Sequence, residues 1–259
     1  MDFFHIAIIF FAGAIAGLMN AIAGGGTIIT FPALIFAGIP AIAANATSTV
    51  ALLPSALGYT FAYRGNIRAV WRWIKLFAVV SLLGGLVGSY LLVRTPPAIF
   101  DWLVPFLILL ATVLFTTHSF FTKLFRLEVQ RQAGGHHIRW LIGAVCFQFL
   151  VSIYGGYFGA GIGILMLATL GMLGIGDIHE MNTVKGILGF LINIVAAIYF
   201  MVHGLVHWPA AGIMALGSLT GGYSGAHFAQ RIAQNTVRKL ITFIGLGLTL
   251  YMFVKQLTR

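Results

Sequence analysis

A chain of 259 residues that is 60% hydrophobic and only 8% charged, with a mean hydropathy of +1.00, lies outside the composition of soluble domains, where about a quarter of residues are charged. The formal charge of +10 does not indicate a nucleic-acid binder, because the basic residues sit in short clusters between apolar runs and form no basic domain. Those runs are about 20 residues long, not the alternating segments of roughly ten found in outer-membrane barrels, so the sequence predicts an all-α polytopic membrane protein.

Residues 3 to 23 form the first apolar segment. It follows Asp2 and has no preceding Lys or Arg, so it lacks the basic region of a signal peptide and is read as part of the protein. Gly24, Gly25 and Gly26 then interrupt it. Glycine inside a helix costs about 1 kcal/mol relative to alanine, and irregular backbone at membrane depth survives only where protein or a wet cavity satisfies it. The cluster is therefore expected to break a helix beside a cavity. The next piece, 27 to 38, ends at Gly38-Ile39-Pro40. As a helix it spans about 18 Å, short of the ~30 Å hydrocarbon core, so it crosses a thinned region or re-enters. Segments 43 to 62, 74 to 93 and 98 to 120 follow, with a basic loop carrying Arg64, Arg68, Arg72 and Lys75 and a turn at Arg94-Thr95-Pro96-Pro97. The polar stretch 122 to 139, with Lys123, Arg126, Arg131, His136, His137 and Arg139, is expected to be a connecting loop. Beyond it lie apolar segments at 140 to 158, 162 to 174, 181 to 202, 208 to 230 and 238 to 254.

The second half repeats the first. A single ungapped shift of 137 residues pairs Ala23 with Ala160, Gly24 with Gly161, Gly26 with Gly163, Asn45 with Asn182, Gly84-Gly85 with Gly221-Gly222, Gly88 with Gly225 and Arg94 with Arg231. The expected organisation is a first repeat at 1–121, a cytoplasmic connecting loop at 122–139 and a second repeat at 140–259. Loop charge orients the halves. The turn after the third segment is basic in the first half and has no Lys or Arg around His203 to His207 in the second. The turn at Arg94, by contrast, is weakly basic where its counterpart carries Arg231, Arg238 and Lys239. By the positive-inside rule this predicts two inverted-topology repeats of five membrane segments each, some short or broken, with both termini outside; Lys255 and Arg259 run against that assignment. Inverted repeats with interrupted helices are a design of secondary transporters, which bind substrate at the repeat interface.

Lys185 is the one Lys or Arg well inside a predicted span. A buried ammonium costs at least about 3 kcal/mol, so a bound anion, Glu180, Asp177 or water must compensate it; the alternative is a lysine that snorkels beside Glu180. Asn182 lies three residues before it, on the same helix face, and the shift places Asn45 and Ser48 opposite this pair. Convergence of Asn45, Ser48, Asn182 and Lys185 would make a cationic, donor-rich site for an oxyanion. Gly24 to Gly26, and Gly161 with Gly163, each precede a helical piece whose N-terminal N–H groups favour negative charge, and Thr27 and Thr30 add hydroxyls. No Gly-Lys-Ser/Thr follows either cluster, so this is not a phosphate loop. Gly84, Gly85, Gly88, Gly221, Gly222 and Gly225 are read instead as sites of close helix approach. Asn20, Asn193, Gln148, Tyr154 and Tyr157 either line the cavity or cross-link helices.

Other chemistry is excluded on residue grounds. Cys146 is single, so there is no disulfide framework. His136 and His137 have no partner at metal spacing, while Gly204 and Pro209 make His203 and His207 part of a turn. Gly222-Tyr223-Ser224-Gly225 resembles the Gly-x-Ser-Gly motif of rhomboid proteases, but His227 is the only histidine that follows and no downstream base is available. Neither enzyme activity nor a cofactor nor a metal is expected.

Gly24-Gly25-Gly26, Pro32-Ala33-Leu34, Gly38-Ile39-Pro40, Asn45-Ala46-Thr47-Ser48 and Tyr63-Arg64-Gly65-Asn66 resemble the TauE/SafE sulfite exporter family. So do Gly174 to Lys185, Gly204-Leu205-Val206-His207-Trp208 and Gly221-Gly222-Tyr223, so the likeness covers nearly the whole chain. Thr169 stands where the family has a proline, and the second glycine cluster is less continuous than the family's. The resemblance implies a multi-pass inner-membrane exporter of a small sulfur-containing anion, with Gly24 to Gly26, Asn45, Ser48, Asn182 and Lys185 as substrate contacts. The expected partners are that anion, the lipid bilayer and a second copy in a homo-oligomer, with no nucleic acid. An anion channel, a carrier of another small carboxylate or oxyanion, and a membrane scaffold are the alternatives; proton coupling through Glu180, Asp177 or His179 is open.

Overall fold

The computed structural model describes residues 2–22, 25–62, 67–131, 138–173, 175, 178–228, 242–243, 245–247 and 249–254. Among them are nine helices: α1 (Phe3–Ile22), α2 (Thr27–Phe36), α3 (Ala41–Ala62), α4 (Ile67–Arg94), α5 (Pro97–Arg131), α6 (Ile138–Tyr157), α7 (Ile162–Met172), α8 (Ile178–Val202) and α9 (Trp208–Phe228). The described residues between 242 and 254 are also helical. The protein is all-α, with apolar side chains such as Phe11, Val79, Leu150, Ile198 and Leu216 exposed on its outer face. A surface of that kind belongs against lipid, and α1, α4, α5 and α8 contain stretches long and apolar enough to span it. The chain is a multi-pass membrane protein.

Two helix boundaries depart from the sequence reading. Residues 122 to 131 were expected in a loop, yet α5 continues to Arg131. Phe121, Leu124 and Leu127 recur at helical spacing among the charges, and no Gly or Pro intervenes before Gly134, so nothing stops the helix. Likewise Arg68, Arg72 and Lys75 are not in a loop: α4 starts at Ile67 and carries them on its exposed side while Val70, Trp73 and Ile74 are buried. The Arg72 guanidinium lies 4.7 Å from the Trp73 ring and the Lys75 ammonium 5.5 Å from the Trp71 ring, the pairing of basic and aromatic groups found at a membrane interface.

The broadest helix contacts join α1 to α9 and α4 to α6. Both depend on glycine. A Cβ at Gly217 or Gly221 would strike the backbone of Phe10 or Ala14 in α1, and one at Gly84 would lie 2.5 Å from the Ser152 Cβ and 2.9 Å from the Phe149 carbonyl oxygen in α6. Contacts advance together along both pairs, Gly13 on Met214 and Gly17 on Ser218, so α1 runs parallel to α9, and α4 similarly to α6. The 137-residue shift exchanges these pairs, and it also exchanges the contact of α3 with α9 for that of α4 with α8. Helices α3 and α8, which the shift relates to each other, meet at the centre. There α3 buries Asn45, Thr47, Ser48 and Ser55 rather than facing lipid.

Candidate functional site

Both short helices follow a glycine break. After α1, Gly25 adopts φ +92° and Gly26 begins α2, its N–H donating to Asn20 Oδ1 at 2.8 Å. Asn20 Nδ2 is 3.4 Å from Ser55 Oγ, which ties the break to α3. After α6, Gly159 and Gly161 both have φ +79°, and the Tyr154 hydroxyl donates to the Ala160 carbonyl between them at 2.7 Å. A left-handed conformation is open to glycine at little cost and closed to most residues, which explains the residue type at these breaks. At 10 and 11 residues, α2 and α7 are roughly 15 to 17 Å long. Helix α2 turns back along α1, so that the Phe36 ring lies 6.5 Å from Phe4 and 6.0 Å from His5.

A cavity of about 90 Å³ lies between the two breaks. Asn20, Gly25 and Thr27 border it from the first break, Gly159, Ile162, Gly163 and Met166 from the second. Thr49, Leu52 and Ala56 of α3 face Lys185, Gly186, Gly189, Phe190 and Asn193 of α8 across it. At roughly 10 to 15 Å³ for each held water, this is room for several waters or one small polyatomic anion. Lys185 is buried, 5% exposed, and no carboxylate is among the described lining residues. Thr27 and Gly163, in the first turns of α2 and α7, both border the space, while the N–H groups of Ile28, Ile29 and Ile164 are taken up by the carbonyls of the preceding glycines. The Lys185 cation, the Asn20 and Asn193 amides and the Thr27 and Thr49 hydroxyls thus border one small compartment, with Leu52, Ala56, Ile162, Met166 and Phe190 as its apolar wall. Such a compartment suits an anion.

The sequence candidates divide around this cavity. Gly25, Thr27, Gly163 and Lys185 line it. Gly26 is buried beside Ala16 and Asn20, and Gly161 is the N-cap of α7. Asn45 and Ser48 do not line the cavity: the Asn45 Nδ2 donates to the Tyr157 carbonyl at 2.9 Å, and the Ser48 and Thr30 hydroxyls share a hydrogen bond of 2.5 Å. The expected four-residue convergence is therefore replaced by Lys185 with Asn20, Thr27, Thr49 and Asn193. Asn182, one turn before Lys185, is half-buried. Gly24, Asp177, His136 and His137 lie outside the described residues.

Lys185, Gly189 and Asn193 form an i, i+4, i+8 stripe, which places them on one helix face; this spacing was legible, and only Lys185 and Asn193 were singled out from it. Among the other polar candidates, Gln148 cross-links helices, its Nε2 donating to Ser81 Oγ at 3.1 Å, and the Tyr157 hydroxyl lies 3.3 Å from that of Thr95. His203 and His207 are in the turn between α8 and α9, where His207 Nδ1 accepts from the Ala210 N–H at 3.3 Å. Among the described residues no three His, Cys, Asp or Glu side chains gather as metal ligands.

Comparison with known proteins points the same way. The family described as "Sulfite exporter TauE/SafE" matches residues 9–252. A "Probable membrane transporter protein" of Haemophilus influenzae is 28% identical over 256 residues, covering 97% of this chain and 95% of the relative. The "Probable membrane transporter protein ORF9" of a Sinorhizobium species is 28% identical over 253 residues, covering 95% and 92%. The "Probable membrane transporter protein YfcA" of Escherichia coli K12 is 24% identical over 240 residues, covering 92% and 86%. No solved structure gives a significant match.

Proposed function

The chain belongs to the sulfite exporter TauE/SafE family, and from that premise we propose that this membrane transporter is a secondary transporter of the inner membrane. It exports a small sulfur-containing oxyanion, of the sulfite, thiosulfate or organosulfonate type, by alternating access. The observation that carries the reading is Lys185, buried on the wall of a cavity between two broken helices. Burying a cation at membrane depth is costly, and the amide and hydroxyl donors that share the cavity wall with it match what an oxyanion accepts.

The halves are arranged as inverted repeats, with residues 64 to 75, 122 to 139 and 231 to 239 in the cytoplasm. Support comes from the exchange of helix contacts under the 137-residue shift and from the flip of loop charge between the halves. A reporter fused at residue 130 reads out as cytoplasmic; a periplasmic signal overturns the assignment.

The decisive experiment is a binding screen of purified protein against sulfite, sulfate, thiosulfate, short sulfonates and small carboxylates, followed by flux in proteoliposomes. Saturable flux that a second gradient drives uphill is the expected result, whereas flux that cannot be driven uphill makes the protein an anion channel. Binding of carboxylates alone removes the sulfur specificity.

A further inference from the structure

We infer that Asn45 and its repeat counterpart Asn182 are alternating latches. The bond that Asn45 makes here closes one face of the transporter, and the equivalent bond, from Asn182 to the Asn20 carbonyl, closes the other when the first opens. The inference rests on the alternating-access reading.

In this structure the start of α3 is tied to the second half. Asn45 Nδ2 donates to the carbonyl of Tyr157, the last residue of α6, at 2.9 Å, and Thr47 Oγ1 accepts from the His207 N–H of the α8–α9 turn at 2.9 Å. Tyr157 also holds the first half through Thr95 and packs its ring 5.8 Å from Phe100. Phe100, Phe158, Phe200 and Val206 are buried in the same apolar cluster as the helix that carries Asn45. Thr49, Leu52 and Ala56, which line the cavity, all come later in α3. The cavity is therefore shut toward the face on which α3 begins.

The latch is poised to release. Asn45 is 1% exposed, and its Oδ1 is buried with no hydrogen-bond partner. Turning the amide over does not help, because that would set Oδ1 against the Tyr157 carbonyl oxygen. An unserved buried acceptor penalises the state that contains it, so this closed state pays for its own seal.

The repeat supplies the other state. Halves that exchange conformations turn each contact between them into its counterpart. The shift carries Asn45 to Asn182 and Tyr157 to Asn20, which stands near the end of α1 as Tyr157 stands at the end of α6. It carries Thr47 and His207 to Val184 and Val70, which have no side-chain hydrogen bond to offer. Of these two ties, the asparagine one alone survives the exchange as a side-chain bond.

Ala56→Cys, in a Cys146→Ser background, reports access to the cavity. It is labelled with a membrane-impermeant maleimide added from the face on which α3 begins. Asn45→Ala is expected to raise the labelling rate about five-fold, the factor for one ordinary hydrogen bond, and Asn182→Ala to lower it. Thr47→Val, which keeps the helix and loses the second tie, raises labelling as well and stands in if Asn45→Ala does not fold. Shifts in the same direction for the two asparagine variants, or no shift in either, overturn the latch. Sulfite flux through the unsubstituted protein separates the failures: with flux present the latch alone falls, and without flux the transporter reading falls with it.

Discussion

The two halves share a backbone plan and differ in what they put into the cavity. In the first half the polar groups near the break close on one another: Asn20 serves the Gly26 N–H, and Thr30 pairs with Ser48. In the second half the position equivalent to Ser48 is Lys185, which lines the cavity, and the positions equivalent to Thr49 and Leu52 are Gly186 and Gly189. The first half contributes neutral donors through Asn20, Thr27 and Thr49, the second the charge and the space. The 137-residue shift relates two broken helices and a pair of central helices, and their divergence leaves Lys185 on the cavity wall opposite α3.

Removing the charge tests that division most severely. Lys185→Ala is expected to weaken oxyanion binding by roughly 10- to 100-fold, the loss for a hydrogen bond to a charged group, while size-exclusion chromatography still shows folded protein. Unchanged sulfite uptake into proteoliposomes would remove the cationic site. The next largest effect comes from making the halves alike. A Cβ at Gly189 meets nothing within 4 Å, so Gly189→Leu, which copies Leu52, fills the cavity. Affinity should fall about ten-fold, the equivalent of about 1.4 kcal/mol, with larger sulfonates losing more than sulfite in a titration series.

Where the halves are equivalent, both should show an effect. Gly84→Ala and Gly221→Ala occupy repeat positions at the two close helix contacts, and overpacking costs about 1 to 3 kcal/mol at each. Thermal unfolding in detergent should show a loss at both, the larger at Gly221, whose Cβ would fall on the Ala14 backbone, and no loss at either one would break the equivalence. Smallest is Ser48→Ala, which removes a bond worth about 1 kcal/mol away from the cavity. Its sulfite flux should stay within about two-fold of the parent.

The helix breaks and the short helices were legible because glycine clusters and apolar lengths are local signals. The α5 extension was not, since counting charge across 122 to 139 hid the apolar spacing of Phe121, Leu124 and Leu127. At the site, Lys185 was legible from its cost in lipid. Asn45 and Ser48 share a face with each other by spacing, but which neighbour that face meets is decided by tertiary packing, and here it meets Tyr157 and Thr30. Gly189 gave no signal alone, because a glycine that clears space for a guest and one that admits a neighbouring helix read identically in sequence.

The glycine seam between α1 and α9 bears on how the protein is made. Helix α1 finds its broadest partner in a helix synthesised roughly 200 residues later, a separation that makes assembly depend on distant contacts. Helix α1 thus enters the bilayer with its small-residue face covered only by lipid and waits there through most of translation. The later half completes the earlier one, so a chain truncated before α9 leaves α1 without its main neighbour.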